Sequence, residues 1–312
     1  MMLSVILLSY FSGHRIPRVY QSLSRLLSQE GISFEFIIID DGSNDDSYLI
    51  ASELESNNTN VFAYQLSKNY TSHYAIFAGL SVCSGDCAIT IPDDEQQPYD
   101  TIVGMYRLWE KGEKVIIPYR AKRNDGLINN FLSNLYYTII NKFSAIRFPK
   151  GGADTCLIDR ELIDLLNTRI HPINTSSIIE VLRLGFSPYY FPYTRLKGDN
   201  LKSRWTLSKK IRLFKDTFFS SSTWPIKLIT YMGILFSMFA MMVILFYVYI
   251  KLFGNPEFWG KLIPGWTSMV VIFSFFSGLI LFSLGIIAEY TWRIYEEVKN
   301  RPGYIIRKKK KS

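Results

Sequence analysis

Two stretches in the last third of the chain carry no charged residue: 23 residues at 228–250 and 27 at 262–288. About 20 helical residues cross the hydrocarbon core of a bilayer, so each stretch is long enough to span one. Soluble core helices seldom run uncharged this far, so the rest of the chain is expected to fold beside a lipid bilayer. Between the stretches, Gly254, Pro256 and Gly260 fit a short turn that returns the chain to the side it left. Charge is partitioned in the same sense. Residues 1–194 hold 16 Lys and Arg against 21 Asp and Glu, whereas residues 195–312 hold 19 against 6. Arg293, Lys299, Arg301, Arg307 and the run Lys308, Lys309, Lys310, Lys311 follow the second stretch. The positive-inside tendency then predicts a multi-pass protein of the inner (cytoplasmic) membrane with both termini in the cytoplasm. Residues 4–8 are too short for a signal peptide and precede, rather than follow, the basic Arg15 and Arg18. The excess positive charge lies beside the apolar stretches, so its expected partners are lipid headgroups or a phosphorylated lipid, with no nucleic acid involved.

The first 120 residues alternate between strand and helix patterns. Apolar runs at 3–8, 34–39, 61–65, 87–91 and 115–118 read as strands, and helical spacing at 18–27, 45–54 and 73–82 fills the gaps between the first four. Such alternation predicts an α/β fold with a mostly parallel central sheet, which binds ligands beyond the carboxyl ends of its strands. Neither G-x-G-x-x-G after the first strand nor G-x-x-x-x-G-K-S/T is present, which argues against a dinucleotide enzyme and a P-loop ATPase. Cys83, Cys87 and Cys156 lack metal-site spacing and are expected to be reduced, packed thiols. An apolar stripe at 131–143 fits a core helix as well as one lying in the membrane surface. The segment 207–219, where Lys209, Lys210, Arg212 and Lys215 accompany Ile211, Leu213, Phe214 and Phe218, fits an interfacial amphipathic helix.

Two acidic groups fall at predicted strand ends: Asp40-Asp41-Gly42-Ser43, and Asp93-Asp94-Glu95 ahead of Gln96-Gln97-Pro98. Three adjacent carboxylates repel one another, so they suit a loop that faces water or holds a hard cation. Ser43 or Asp45 would also serve as a helix cap in the first loop.

These loops, together with Leu66-Ser67-Lys68-Asn69, Arg120-x-x-Arg123, Asp154 before Leu157-Ile158-Asp159-Arg160, and Ser203-Arg204-Trp205-Thr206, form an ordered set. It resembles the inverting family 2 glycosyltransferases of GT-A fold, in particular the polyprenyl-phosphate enzymes such as dolichol-phosphate mannose synthases and undecaprenyl-phosphate sugar transferases. The resemblance implies transfer of one sugar from a nucleotide-sugar donor to a polyprenyl-phosphate acceptor, with inversion at the anomeric carbon and with Mg2+ or Mn2+ as cofactor, for bacterial surface polysaccharide assembly or modification. It implies nucleotide-sugar binding by Asp40, Asp41 and Asp94, metal binding by Asp94 and Gln96, a catalytic-site role for Asp154, and acceptor-phosphate binding by Arg120, Arg123, Arg195 and Arg204. The corresponding organisation is a catalytic domain at 1–204, an interfacial amphipathic segment at 205–225, a transmembrane region at 226–292 and a basic cytoplasmic tail at 293–312.

The chemistry of the residues agrees. A lipid monophosphate has a second pKa of about 6 and is mostly ionised near neutrality, so Asp154 is expected to orient the reactants more than to abstract a proton. Arginine matches phosphate through paired donors. The chain also departs from the family pattern. Pro92 stands where the first carboxylate of a D-x-D-like element is usual, Glu95 and Gln97 replace Leu and Asp of L-Q-D-P-P, and Ser72 and Cys156 stand where cations are usual. These departures favour an unusual sugar or acceptor. Two alternatives stand beside the leading reading: a transferase acting on a lipid-linked saccharide, with Asp154 as a true base, and a catalytically degenerate membrane scaffold. Gly278 and Gly285 would permit spans to pack between subunits of a homo-oligomer.

Overall fold

The computed structural model describes residues 1–121, 138–143, 155–196, 218, 222–253 and 265–307. In chain order they form β1 (Met2–Ser9), a 3-10 turn (Gly13–Arg15), α1 (Ile16–Gln29), β2 (Ser33–Asp40), α2 (Ser47–Asn57), β3 (Val61–Gln65), α3 (Ser72–Val82), β4 (Cys87–Pro92) and α4 (Tyr99–Glu110). There follow β5 (Val115–Arg120), β6 (Leu157–Asp159), α5 (Arg160–Arg169), α6 (Ser177–Arg183), β7 (Tyr189–Tyr193), α7 (Trp224–Phe253) and α8 (Gly265–Val298). Two compact units result: Met1–Ser221 with Asn300–Ser312, and Ser222–Lys299.

The first unit is built on a sheet of order β3-β2-β1-β4-β6-β5-β7. β1 pairs in parallel with β2 and β4, β2 with β3, and β5 with β7, while β6 runs antiparallel to both neighbours. The mostly parallel α/β sheet expected from the sequence is therefore present. Because side chains alternate across a strand, β1 sends Ile6 to one face and Leu3, Val5 and Leu7 to the other. α1 buries Ile16, Val19, Tyr20, Leu23 and Leu27 at helical spacing, and with Ala51 of α2 and Met105 of α4 these cover one face. Ala75–Leu80 positions of α3, with Leu162 and Ile163 of α5, cover the other. Each fully buried Leu, Ile or Val contributes about 1.5–3 kcal/mol, so both faces of the central strands are strongly specified. The three cysteines are buried and unbridged, as expected. Of the 131–143 stripe, residues 138–143 are helical; Ile140 is fully buried in the core, and Phe143 meets Phe218 with ring centroids 6.4 Å apart. The remainder of that stripe, and 207–219 apart from Phe218, lie outside the described residues.

In the second unit α7 and α8 pack through Phe236, whose ring lies 5.7 Å from Phe275 and 5.6 Å from Phe276. Trp224–Val243 and Met269–Val298 are long and apolar enough to cross a membrane, and no residue of their most apolar windows is buried. α8 continues ten residues past the uncharged stretch, to Val298, and carries an ion pair one turn apart between Arg293 and Glu289 at 3.0 Å. The stretch expected as a basic tail is thereby divided: 293–298 ends α8, and the chain from Asn300 belongs to the sheet-bearing unit.

Candidate active site

The register of the parallel strands gathers the candidate residues on one edge. Ser9 pairs with Asp40, and Leu8 with Pro92, so β2 and β4 flank β1 with their carboxyl ends level. With strands about 4.8 Å apart, the loops after β2 and β4 begin about 10 Å from each other. The chain moves outward from β1 through β2 to β3 and then returns to β4 on the other side of β1, which creates a topological switch point between these two loops. Two antiparallel pairings restore direction between β4 and β5, so Arg120 at the end of β5 opens onto the same edge.

The loop after β2 is held from within. Asp40, fully buried, accepts hydrogen bonds from the Ser43 N–H at 3.2 Å, the Ser43 hydroxyl and Gln65 Nε2 at 3.0 Å. Asp41, 5% exposed, accepts from the N–H of Tyr70 at 2.7 Å and of Thr71 at 2.9 Å. Burial pushes the Asp41 carboxyl up to about 6; the two backbone N–H groups oppose the shift and the neighbouring Asp40 charge adds to it. Gly42 is needed here for two reasons. Its φ is +70°, and a Cβ at this position would lie 2.3 Å from the Lys68 carbonyl carbon. Neither expected cap takes the N-cap position of α2, which falls to Asp46 without a side-chain cap hydrogen bond; Asp45, one residue earlier, accepts the Ser47 N–H at 3.1 Å, and Ser43 accepts from the Phe11 N–H at 3.0 Å.

In the loop after β4 the three carboxylates separate. Glu95 has φ +51° and turns to Arg18 of α1, with Oε1 2.7 Å from Nε. Asp93 is tied through its backbone carbonyl, which accepts from Arg15 at 3.4 Å, and its buried Oδ2 has no hydrogen-bond partner. Asp94 accepts the Gln96 N–H at 3.2 Å and faces Arg195 at 3.8 Å. Burial raises the Asp94 carboxyl, with the Gln96 N–H, Arg195 and Arg120 opposing and Asp93 adding. Arg195 thus faces Asp94 directly, while Arg120 acts on that carboxyl through its charge and donates to the Tyr193 hydroxyl at 3.4 Å. The Gln96 carbonyl accepts the Leu196 N–H at 2.9 Å, whereas Gln96 Oε1 is buried without a partner.

The donor set suits a hard divalent cation. Asp94 supplies charge, and Asp93 Oδ2 and Gln96 Oε1 are oxygens left over by the protein's own hydrogen bonding. Among the described residues no group of three or more His, Cys, Asp or Glu side chains is arranged to hold a metal. Magnesium sites on phosphorylated substrates commonly use only one or two protein carboxylates, with phosphate and water completing the shell.

Of the expected site residues, the fold brings together Asp94, Gln96, Arg120 and Arg195, and sets Asp40 and Asp41 across β1 from them. Asp154, Arg123 and Arg204 lie outside the described residues. Thr155 donates to Gln97 Oε1 at 3.5 Å. Sequence reasoning missed Gln65, Arg15 and Arg18, which support the acidic loops without lying in them. It also missed the strand-like Tyr304-Ile305-Ile306 after Pro302-Gly303, whose pattern of β-formers behind a turn was the available signal.

Residues 4–165 match the model of the glycosyl transferase family 2 domain. The glycosyltransferase YkcC of Bacillus subtilis, itself uncharacterized, is 31% identical over 94% of this chain and 89% of its own length. The putative glycosyltransferase CsbB of the same organism is 28% identical over 98% of this chain and 91% of its own. The SfII prophage-derived bactoprenol glucosyl transferase of Shigella flexneri is 28% identical over 99% of this chain and 98% of its own. Among solved structures, mannosyl-3-phosphoglycerate synthase from Rubrobacter xylanophilus aligns with a TM-score of 0.48 at 14% identity, over 69% of this chain and 72% of that one. The strand order, the acidic loops at its carboxyl edge and the family match all agree: this chain is a membrane-associated glycosyltransferase of GT-A-like fold and belongs to glycosyl transferase family 2.

Proposed function

We propose that this enzyme transfers one sugar from a nucleotide-sugar to a polyprenyl phosphate, undecaprenyl phosphate in a bacterium, with inversion at the anomeric carbon. The observation that supports this reading is Asp94 faced by Arg195 at 3.8 Å, with Arg120 at the end of β5 on the same sheet edge: a carboxylate suited to a cation close to guanidinium groups suited to phosphate. End-to-end similarity to bactoprenol glucosyl transferases, including both long helices, supports the lipid acceptor.

The loop after β2 binds the nucleoside, with Asp41 and Asp40 ordering its backbone. Asp94, with Asp93 Oδ2 and Gln96 Oε1, would hold Mg2+ or Mn2+, which would supply charge neutralisation for the diphosphate leaving group. Arg120 and Arg195, with Arg123 and Arg204, hold the acceptor phosphate, which is already ionised near neutral pH. Asp154 then orients donor and acceptor in line. The catalytic domain and both termini lie on the cytoplasmic side, and Gly278 and Gly285 offer close packing between subunits of a homo-oligomer.

Membranes containing the protein, incubated with UDP-, GDP- and dTDP-sugars, undecaprenyl phosphate and Mg2+ or Mn2+, should yield a lipid-linked monosaccharide identified by mass. No turnover and no nucleotide-sugar binding across the panel would overturn the reading. Asp94→Asn should abolish metal-dependent turnover; unchanged activity would exclude Asp94 as a ligand.

A further inference from the structure

The segment that follows α8 returns to the sheet-bearing unit and lies along β3, the edge strand. Ser67 N–H donates to the Ile305 carbonyl at 2.9 Å and Arg307 N–H to the Gln65 carbonyl at 2.8 Å, which makes an antiparallel bridge between Leu66 and Ile306. Tyr304 and Ile306 pack on the core cluster that contains Leu66, and the Tyr304 hydroxyl donates to the Phe77 carbonyl at 3.3 Å. Gly303 fits where a Cβ would come 2.8 Å from Pro172 and 3.0 Å from Tyr74. An edge strand gains a partner, and the segment is held by both backbone and side chains.

Its last described residue reaches the loop after β2 indirectly. Arg307 donates to Gln65 Oε1 and to the Ser67 carbonyl, both at 3.1 Å. The same Gln65 amide donates from Nε2 to Asp40, and the Leu66 N–H donates to the Asp40 carbonyl at 2.8 Å. A few residues on, Tyr70 and Thr71 hold Asp41. We propose that Arg307, on the strap 303–307, is a positioning residue for the donor loops, fixing Gln65 and the 66–71 loop so that Asp40 and Asp41 are set for the nucleotide. The link is close in sequence: the strap begins at Gly303, shortly after a membrane-length helix ends at Val298, so a short connection joins that helix to the residues that hold the donor loop. The proposal rests on the nucleotide-sugar reading for its effect on donor binding, and on geometry alone for its effect on the loop.

The test uses the full chain in lipid nanodiscs. Hydrogen exchange of the 66–71 amides and binding of the nucleotide-sugar panel are compared in wild type, Arg307→Ala, Arg307→Lys, Arg307→Pro and the charge-matched control Arg301→Ala. Arg307→Ala removes two side-chain hydrogen bonds and should speed exchange of the loop and weaken donor binding about threefold to tenfold. Turnover at saturating donor should change little, so the loss falls on KM. Arg307→Pro also removes the backbone bond to Gln65 and should weaken binding further, Arg307→Lys should restore part of it, and Arg301→Ala should match wild type. Unchanged exchange and donor affinity in Arg307→Ala and Arg307→Pro would overturn the proposal, as would an equal effect of Arg301→Ala. Faster loop exchange in Arg307→Ala, in a protein whose wild type binds no member of the panel, would uphold the strap and overturn the nucleotide-sugar reading instead.

Discussion

Acidification should weaken donor binding through Asp41. Its two oxygens accept the Tyr70 and Thr71 N–H groups, and burial holds its carboxyl at about 6. Protonation converts one oxygen from acceptor to donor and turns it against an N–H, which releases the loop that Asp41 organises. With a pKa of about 6, roughly one molecule in ten is protonated at pH 7 and ten in eleven at pH 5. If only the ionised form binds, the apparent Kd rises about tenfold between those values, or about 1.4 kcal/mol. The ligand does not confuse the result, because a nucleotide-sugar diphosphate is esterified at both ends and lacks the monoester pKa near 6. Stability moves the other way. The folded pKa lies above the ordinary 3.8, so the folded state binds the extra proton, and this group's contribution falls as pH rises from about 4 to about 6, by at most about 3 kcal/mol. Equilibrium binding of the donor by the nanodisc-embedded protein at half-unit steps from pH 7.5 to pH 5 measures the effect. A flat affinity across that range would refute the reasoning, and so would the same slope in Asp41→Asn, which has no proton to gain.

Two local substitutions separate the roles within the acidic loops. Glu95→Ala removes a partly exposed pair with Arg18 and should cost less than about 1 kcal/mol of stability while leaving metal-dependent turnover within about twofold of wild type; a shifted Mn2+ requirement in titrated turnover assays would place Glu95 at the cation after all. Gly42→Ala forces a side chain into positive φ against the Lys68 backbone and should destabilise by about 2 to 4 kcal/mol, read as a lower thermal midpoint in detergent together with loss of donor binding.

The pattern of uncharged stretches, the strand and helix alternation and the order of acidic and basic motifs made the membrane association, the fold class and the family legible in the chain itself. These features are local or one-dimensional. A run of 23 uncharged residues is long enough to span a bilayer wherever it is placed, and apolar runs of strand length bounded by turn residues make a sheet whose carboxyl edge collects the loops. The fate of each carboxylate was not legible. Asp93, Asp94 and Glu95 are neighbours of equal charge in the sequence; they differ only because Arg18 of α1 draws Glu95 away, Arg195 faces Asp94, and Asp93 Oδ2 is left buried without a partner. The same holds for the basic end of the chain. Composition groups Arg307 with the lysines that follow it, yet Arg307 is engaged by Gln65 and Ser67, 242 and 240 residues earlier. Contacts of that separation depend on where β3 sits in the sheet, and only the folded chain, with β3 at an open edge, decides that a segment of the tail becomes its neighbour.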